Sequence, residues 1–361
     1  MHIDDLLDVM LKKGASDLHI KVGNFPMLRI DGRIVFQTDM PRLTPQVVDQ
    51  IIDSMLDDVH KKEYQDNWET DLAYEFGDKA RFRVNLFHQR GTKAAVLRVI
   101  PTKILTVDDL NLPEIIRDFC KRPRGLILVT GPTGSGKSTT LSAMVNEINA
   151  KREEHIITIE DPIEFVHQNR KSLVNQREVG RDTGSFNMAL KSALRQDPDV
   201  VLIGEMRDLE TISTAITTAE TGHLVLATLH TTGAAQTVDR IIDVFPPDQQ
   251  NQIRMQVASN IQGVISQTLV PKAAGKGRVA AFEILVPTGA LRNLIRDGKT
   301  HQIPATMQTG GRSGMITLEQ SLAILIKNRV ITKEMAMAKS ANREHLEELL
   351  SGVTQKPKSK Y

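Results

Sequence analysis

Eight residues in the first half of the chain constrain its fold more than any other feature. Residues 131–138 read GPTGSGKS, directly after the apolar run LILVT and directly before a helical pattern. A strand, a glycine-rich loop and a helix in this order are what a phosphate-binding loop requires. The glycines let backbone N–H groups turn onto an anion without Cβ clashes. The pattern predicts a nucleoside triphosphate site, and the alternative is a chance turn rich in glycine and serine.

The side chains of this loop predict the rest of the phosphate site. Lys137 has the length to reach the β- and γ-phosphates, and the Ser138 hydroxyl is suited to Mg²⁺. The helix that begins here presents its positive dipole end to the same phosphates. We expect the nucleotide to be bound by Gly131, Pro132, Thr133, Gly134, Ser135, Gly136, Lys137, Ser138 and Thr139.

Composition favours a globular chain without a strong attraction for nucleic acid. A length of 361 residues suggests two domains. The formal net charge is only +2, from 46 basic and 44 acidic residues, and aromatic residues make up 4%. A nucleic-acid partner is therefore not expected, because neither a basic field nor stacking platforms are indicated.

Cysteine usage and the amino terminus indicate a cytoplasmic setting. A single cysteine, Cys120, excludes an internal disulfide and a cysteine-rich zinc site. The first residues, MHIDDLLDVMLKKG, are acidic where a signal peptide would be basic. No apolar run approaches the roughly 18 residues of a membrane span. We expect a soluble protein that docks peripherally on a membrane complex.

Residues 1–100 have the pattern of a small α+β domain. Apolar spacing predicts a first helix from Ile3, and Thr44 followed by Pro45 predicts the start of a second. Asp31–Gly32 is a tight-turn signal. The alternation that begins at Arg81, followed by KAAVLRVI, predicts an antiparallel hairpin. Residues 101–113 (PTKILTVDDLNLP) are typical of a linker.

Residues 114–361 have the pattern of an α/β domain. The runs LILVT, HIITIE, DVVLIGE and HLVLATLH are apolar almost throughout and alternate with helical stretches. Strands of this kind are buried on both faces, so a mostly parallel sheet covered by helices is expected. The carboxyl-terminal part is predicted to be mostly helical, with one hairpin around Gly275–Lys276–Gly277. The segment KPKSK before Tyr361 is expected to fray.

Carboxylates follow two of the apolar strands. Glu205 follows VVLIG and is the predicted ligand of a Mg²⁺-bound water, unless it merely pairs with Arg207. Three more carboxylates, Glu160, Asp161 and Glu164, follow HIITI. In open α/β sheets ligands lie beyond the carboxyl ends of the strands, so one of these three is expected to polarise the attacking water. Spacing does not choose among them, and turn-forming acids are the alternative.

A histidine and several arginines complete the candidate catalytic groups. His230 follows HLVLATL, flanked by Thr228 and Thr231, and is placed to bind a γ-phosphate oxygen; a structural role is the alternative. His223, at the start of the same strand, is expected to point away. Arginines that could stabilise transition-state charge, including from a neighbouring subunit, are Arg81, Arg83 and Arg98 on the first hairpin and Arg195, Arg207 and Arg240 near the nucleotide-side loops. A solvated surface is the alternative for each of them.

Four ordered motifs resemble the secretion-type ATPase superfamily: GPTGSGKST, ITIEDPIEF, VVLIGEMRD and HLVLATLHTT. The resemblance implies a PAS-like domain on a RecA-like domain, assembled as a homo-hexamer with MgATP between subunits. It further implies that Glu164 is the catalytic base and Glu205 the acid of the Walker B motif. Lys137 and His230 complete the implied catalytic set.

Within that superfamily the chain is similar to the PilT family of type IV pilus retraction ATPases. The similarity is carried by GASDLHI, LVNQREVGRDT and ALRNLIRD. It implies hydrolysis coupled to pilin depolymerisation and twitching motility, with an inner-membrane platform protein as partner. The motif implied to serve retraction is Ala290, Leu291, Arg292, Asn293, Leu294, Ile295, Arg296 and Asp297, of which Leu291 and Asp297 depart from the usual pattern.

Three alternatives to this interpretation stay open. An accessory retraction ATPase of the PilU type shares nearly every motif, although NQREV and LRNLIRD favour PilT. A RecA-like motor on nucleic acid is disfavoured by the near-neutral charge. A P-loop kinase would leave the hairpin arginines without a task.

Overall fold

The computed structural model describes residues 1–30, 32–77, 79–100, 104–275 and 277–351. The chain divides into two compact units, Met1–Lys103 and Ile104–Tyr361. The division falls inside the stretch predicted to be a linker, of which residues 101–103 lie outside the described residues. Asp31 and Lys276, in the two predicted turns, and the predicted frayed tail also lie outside them.

Over its described residues, the first unit is a six-stranded antiparallel sheet with three helices. The sheet order is β3-β2-β1-β6-β5-β4. The helices are α1 (Ile3–Lys12), α2 (Pro45–Asp53) and α3 (Asp58–Asn67). The strands are β1 (Asp17–Lys21), β2 (Met27–Ile30), β3 (Arg33–Phe36), β4 (Glu69–Phe76), β5 (Ala80–Gln89) and β6 (Thr92–Ile100).

The local sequence explains why these elements form. The Thr44 hydroxyl accepts a hydrogen bond from the Val47 amide, so Thr44 caps α2 as predicted. Along β5, Phe82, Val84 and Leu86 are fully buried while the residues between them are not, which is the alternation of a half-buried strand. The predicted hairpin of β5 and β6 is confirmed. The PAS-like character of this unit stays a prediction.

The second unit is built on a seven-stranded sheet of order β13-β12-β7-β11-β10-β8-β9. All neighbours are parallel except β12 and β13. The strands are β7 (Gly125–Thr130), β8 (His155–Glu160), β9 (Leu173–Glu178), β10 (Val200–Ile203), β11 (Leu224–Leu229), β12 (Ile261–Pro271) and β13 (Arg278–Leu285). The helices are α4 (Ile115–Cys120), α5 (Lys137–Lys151), α6 (Phe186–Ala193), α7 (Leu209–Glu220), α8 (Ala234–Asp243), α9 (Gln250–Asn260), α10 (Gly289–Arg296), α11 (Ile303–Thr309), α12 (Leu318–Lys327), α13 (Lys333–Met337) and α14 (Arg343–Ser351).

The sheet of the second unit is covered by helices on both faces. Alternate residues of β7 enter two different cores: Leu126 and Leu128 enter one, and Ile127 and Val129 the other. A strand that is buried on both faces must be apolar at every position, which explains the continuous apolar runs. The predicted α/β fold with a mostly parallel sheet is therefore confirmed. Among the helices of the described ranges, none is long and apolar enough to cross a membrane.

Candidate nucleotide site

A cavity of about 430 Å³ lies at the carboxyl ends of the parallel strands of the second unit. It is lined by the phosphate-binding loop, by the predicted acids and by His230. Its lining residues include Thr133, Gly134, Gly136, Lys137, Ser138, Thr139, Glu160, Asp161, Glu164, Phe186, Gly204, Glu205, Arg207, Thr228, His230 and Arg278. Thr133 and Arg278, the first and last of these residues in the chain, are 145 positions apart. The fold therefore brings together side chains that are distant in the sequence.

The phosphate-binding loop has the conformation that its glycines predict. Gly131, Gly134 and Gly136 all have positive φ, at 139°, 76° and 91°. A Cβ on Gly131 would lie 2.2 Å from the Gln267 carbonyl oxygen, so no other residue fits there. The Lys137 ammonium donates to the carbonyls of Gly131, at 2.9 Å, and Pro132, at 3.2 Å. Burial lowers the pKa of Lys137 from its ordinary value.

Gln267 supports this loop, although no sequence pattern predicts that role. Its side-chain nitrogen donates to the Ser135 carbonyl at 2.7 Å, and its side-chain oxygen accepts from the Thr140 hydroxyl at 2.8 Å. The side chain is buried. Gln267 lies on β12, which runs parallel to β7 and so passes beside the loop that follows it. A residue more than 120 positions away in the chain therefore joins the loop to the first turn of α5.

Glu205 lies between two cationic or protonatable groups. Its carboxylate accepts a hydrogen bond from the Arg207 guanidinium at 2.7 Å, and its other oxygen lies 3.0 Å from His230 Nε2. The hydrogen bond from Arg207 lowers the pKa of Glu205, against the opposing effect of burial. The pairing of Glu205 with Arg207 does occur, but it leaves the carboxylate on the wall of the cavity.

The three acids after β8 differ in their surroundings. The Glu160 carboxylate accepts from the Thr158 hydroxyl at 2.7 Å and from the Gln176 amide at 3.1 Å, and burial raises its pKa. Asp161 and Glu164 are exposed on the cavity wall. The Glu160 carboxylate is thus hydrogen-bonded to a residue of its own strand, β8, and to a residue of the neighbouring strand, β9. All three acids line the cavity, and Asp161 and Glu164 are the two whose side chains are exposed.

The threonines and histidines of β11 have distinct positions. His230 follows the strand at the carboxyl edge, and the Thr228 hydroxyl donates to the Gly204 carbonyl at 2.5 Å. Thr231 pairs with Thr237 at 2.7 Å between their hydroxyls. His223 precedes the strand, with Nδ1 3.0 Å from the Thr218 carbonyl. His223 therefore lies at the opposite edge, as predicted.

Of the three arginines predicted to lie near the nucleotide-side loops, only Arg207 lines the cavity. Arg195 does not line the cavity, because it follows α6 in the segment that leads to the amino end of β10, the opposite edge of the sheet; a role for it in a neighbouring subunit's site stays a prediction. Arg240, in the last turn of α8, does not line the cavity either, and its role also stays a prediction. Arg278, at the start of β13, lines the cavity and was not predicted.

The arginines of the first unit have partners of their own. Arg98 pairs with the buried Asp17 at 2.7 Å, and Arg83 lies 4.0 Å from Asp71. Burial acts to raise the pKa of Asp17, but hydrogen bonds from Ser16 and Arg98 together lower it. Arg81 and Arg83 are two residues apart on β5 and so share a strand face, as predicted. Arg98 is committed to a structural pair.

The cavity offers oxygen donors that suit Mg²⁺. Ser138 and Glu205 both line it, and Mg²⁺ is usually held by one or two such groups together with water and substrate phosphates. Over the described ranges, no group of three or more His, Cys, Asp or Glu side chains is arranged to hold a metal by itself. The donor set therefore fits a metal that enters with a nucleotide.

The motif ALRNLIRD forms the amphipathic helix that was predicted. Thr288 caps α10 by accepting from the Leu291 amide. Leu291 and Ile295 are fully buried, Leu294 is half-buried, and Asn293 and Arg296 are exposed. Arg292 points inward and donates to the carbonyls of Ala258 and Ser259 at the end of α9. The helix therefore has a packed face and a polar face open to solvent.

A phosphate-binding loop between β7 and α5, with acids and a histidine at the ends of neighbouring parallel strands, defines a P-loop ATPase with a RecA-like core. The chain belongs to the type II/IV secretion system protein family, whose model matches residues 1–356. It is 51% identical to the type IV pilus retraction ATPase PilT of Pseudomonas aeruginosa, over 94% of this chain and 98% of that protein. It is 42% identical to the type IV pilus ATPase PilU of the same organism, over 94% of this chain and 88% of that protein.

A solved structure agrees with these relatives. The crystal structure of the pilus retraction motor PilT with bound ADP superimposes with a TM-score of 0.92 at 48% identity, covering 96% of this chain and 99% of that one. The likeness extends over both units. The predicted fold and the predicted membership of the secretion-type ATPases are confirmed.

Proposed function

We propose that this chain is a motor ATPase that hydrolyses MgATP to retract type IV pili. The observation that carries the proposal is the single cavity wall shared by Lys137, Glu164, Glu205 and His230. The near full-length similarity to PilT supports it. In this proposal hydrolysis drives pilin depolymerisation and so twitching motility.

Each of these side chains has a chemical task. The Lys137 ammonium neutralises phosphate charge, and Glu164 accepts a proton from the attacking water. Ser138 and, through water, Glu205 would hold Mg²⁺, which supplies further neutralisation of charge on the phosphate oxygens. His230 lies beside Glu205 and is placed to bind a γ-phosphate oxygen. Loss of that oxygen after hydrolysis would change the hydrogen bonding of the Glu205–His230 pair.

The motor is proposed to act as a homo-hexamer at the pilus base. Transition-state charge on a transferred phosphoryl group is commonly stabilised by arginine, and Arg207 lines the cavity within the subunit. Arg81 and Arg83, which share a face of β5, are the candidates to act on a neighbouring subunit. Arg98 is the weakest candidate because it holds the buried Asp17. The exposed polar face of α10 is proposed to serve retraction, with an inner-membrane platform protein as the docking partner from the cytoplasmic side.

The second candidate is an accessory retraction ATPase like PilU. Identity is 51% with PilT and 42% with PilU over the same share of this chain, which favours a PilT-like role. An accessory protein would restore retraction only where another retraction ATPase is present.

The test is complementation in a piliated bacterium that lacks its own retraction ATPases. The wild-type chain is expected to restore pilus retraction, and Lys137→Ala and Glu164→Gln are expected not to. Lys327→Ala is the control, because that exposed lysine lies in the last turn of α12 and does not line the cavity. Failure of the wild-type chain, produced in soluble and ATP-hydrolysing form, would contradict the proposed role.

A further inference from the structure

The loop that carries Glu164 is held by side chains of the neighbouring edge strand, β9. The strand has the sequence LVNQRE and pairs in parallel with β8, so that Thr158 lies beside Gln176 and Glu160 beside Glu178. The loop leaves the end of β8 and returns to the start of β9. Side chains of β9 that point toward the loop therefore have its backbone within reach.

Gln176 makes three hydrogen bonds to this loop and its root. Its side-chain oxygen accepts from the His167 amide at 2.7 Å. Its side-chain nitrogen donates to the Phe165 carbonyl at 2.8 Å and to the Glu160 carboxylate at 3.1 Å. The Gln176 carboxamide therefore holds the backbone at Phe165, directly after Glu164, and at His167, two residues further on.

Glu178 holds the loop on the other side of Glu164. The Glu178 carboxylate accepts from the Ile163 amide at 3.1 Å, in a buried position. The backbone on both sides of Glu164, at 163 and at 165, is therefore held by side chains of β9.

We infer that Gln176 is a positioning residue for hydrolysis, which acts by holding the Glu164 carboxylate at the attacking water. The inference rests on the proposed role of Glu164. Glu164 is exposed and extends from a loop, so its position depends on how firmly the loop backbone is held. A general base that is displaced by about 1 Å loses on the order of a hundredfold in rate. Gln176 itself does not line the cavity. Its effect on hydrolysis is therefore indirect, through the position of Glu164.

The experiment compares Gln176→Met with Asn175→Leu in the full-length protein. Methionine has a similar volume but makes none of the three hydrogen bonds. Asn175 is the neighbouring amide of the same strand, but it is exposed and its side-chain nitrogen lies 2.8 Å from His155 Nε2 instead. We expect Gln176→Met to lower kcat for ATP by tenfold or more and to leave the Kd of a non-hydrolysable ATP analogue within about twofold. Asn175→Leu is expected to change neither.

A double mutant separates positioning from general damage. If Gln176 acts through Glu164, Gln176→Met is expected to cause no further loss of kcat in a Glu164→Ala background, because residues that act as a unit are not additive. A further tenfold loss in that background would overturn the inference, and so would an unchanged kcat in the single variant. A parallel loss of analogue binding would also overturn it. The wild-type rate is measured first: a wild type without ATPase activity would contradict the proposed function, whereas an active wild type matched by Gln176→Met contradicts only this inference.

Discussion

The Glu205 carboxylate shows how charge is distributed at the site before any nucleotide is present. It is bonded to Arg207 and lies beside His230, while the Lys137 ammonium is held by two carbonyls of its own loop. The side chains of Glu205, Arg207 and Lys137 on this wall thus each have an oppositely charged or carbonyl partner. A bound nucleotide would replace some of these partners. Because one oxygen of Glu205 is bonded to Arg207 and the other lies beside His230, the two oxygens would lose different partners.

Asp17 in the first unit is also a carboxylate paired with an arginine. This pairing leads to a prediction about the pH dependence of stability. The carboxylate is 3% exposed and its pKa is lowered from 3.8 by hydrogen bonds from Ser16 and Arg98, despite burial. A lowered pKa stabilises the folded state above the unfolded pKa, and this contribution is lost as the pH falls through the folded pKa. Asp17→Asn is therefore expected to destabilise the protein at pH 7 and to cost progressively less below about pH 4.

Thermal unfolding of the two proteins at pH 7 and pH 3.5 measures this effect. The difference in Tm between wild type and Asp17→Asn is expected to shrink at the lower pH. Asp39→Asn is the control, since Asp39 is exposed in the same unit and lies 3.6 Å from Lys13. A Tm difference for Asp17→Asn that is the same at both pH values would contradict the assignment.

At the scale of elements, α10 has one face that packs in the core and an opposite, polar face that is proposed to serve retraction. Leu291 is fully buried and packs in the same core as the helices beside it, whereas Asn293 is exposed. Leu291→Ala is expected to lower the free energy of unfolding by about 2–5 kcal/mol. Asn293→Ala is expected to change it by less than about 0.5 kcal/mol, because exposed substitutions rarely do more.

Denaturant unfolding and a retraction assay together test this division. The account predicts that Asn293→Ala keeps wild-type stability and ATPase activity but impairs pilus retraction. Full retraction by a stable Asn293→Ala protein would show that the motif has only a packing role. A stability loss equal to that of Leu291→Ala would contradict the assignment of faces.

The sequence predicts those strands that are buried on both faces along their whole length. The strands β7, β8, β10 and β11 are buried on both faces, and their apolar runs indicate this directly. The edge strand β9 has a mixed burial pattern, and its sequence was interpreted only as a family signature. The predicted hairpin of β12 and β13 is confirmed for the described residues, but its addition to the main sheet through β7 was not predicted.

The candidate site divides in the same way. Groups that follow apolar strands, such as Glu164, Glu205 and His230, were predicted because strand ends are local in sequence. Gln267 and Gln176 were not, because each supports its loop through pairing between strands, which no local pattern reports. The position of Arg195 away from the cavity was not predicted for a related reason, since it required knowing at which edge α6 ends.

At the scale of the whole molecule, the nucleotide site belongs to a chain whose proposed task is mechanical. The similarity to PilT covers nearly the full length of both chains, so it extends to the first unit with its paired arginines as well as to the nucleotide-binding unit. A motor of this class needs hydrolysis to be separable from binding, because the two states must differ only at the γ-phosphate. We propose that this separation rests on Glu164, which lines the cavity but lies outside the phosphate-binding loop.

The most direct test is phosphate release from MgATP by the wild type and by Glu164→Gln, with binding of a non-hydrolysable ATP analogue measured on both. General-base catalysis contributes about 10²–10⁴-fold, so the variant is expected to release phosphate at least a hundredfold more slowly. Its Kd for the analogue is expected to stay within about threefold of the wild-type value. A Glu164→Gln protein that releases phosphate at the wild-type rate would contradict the account.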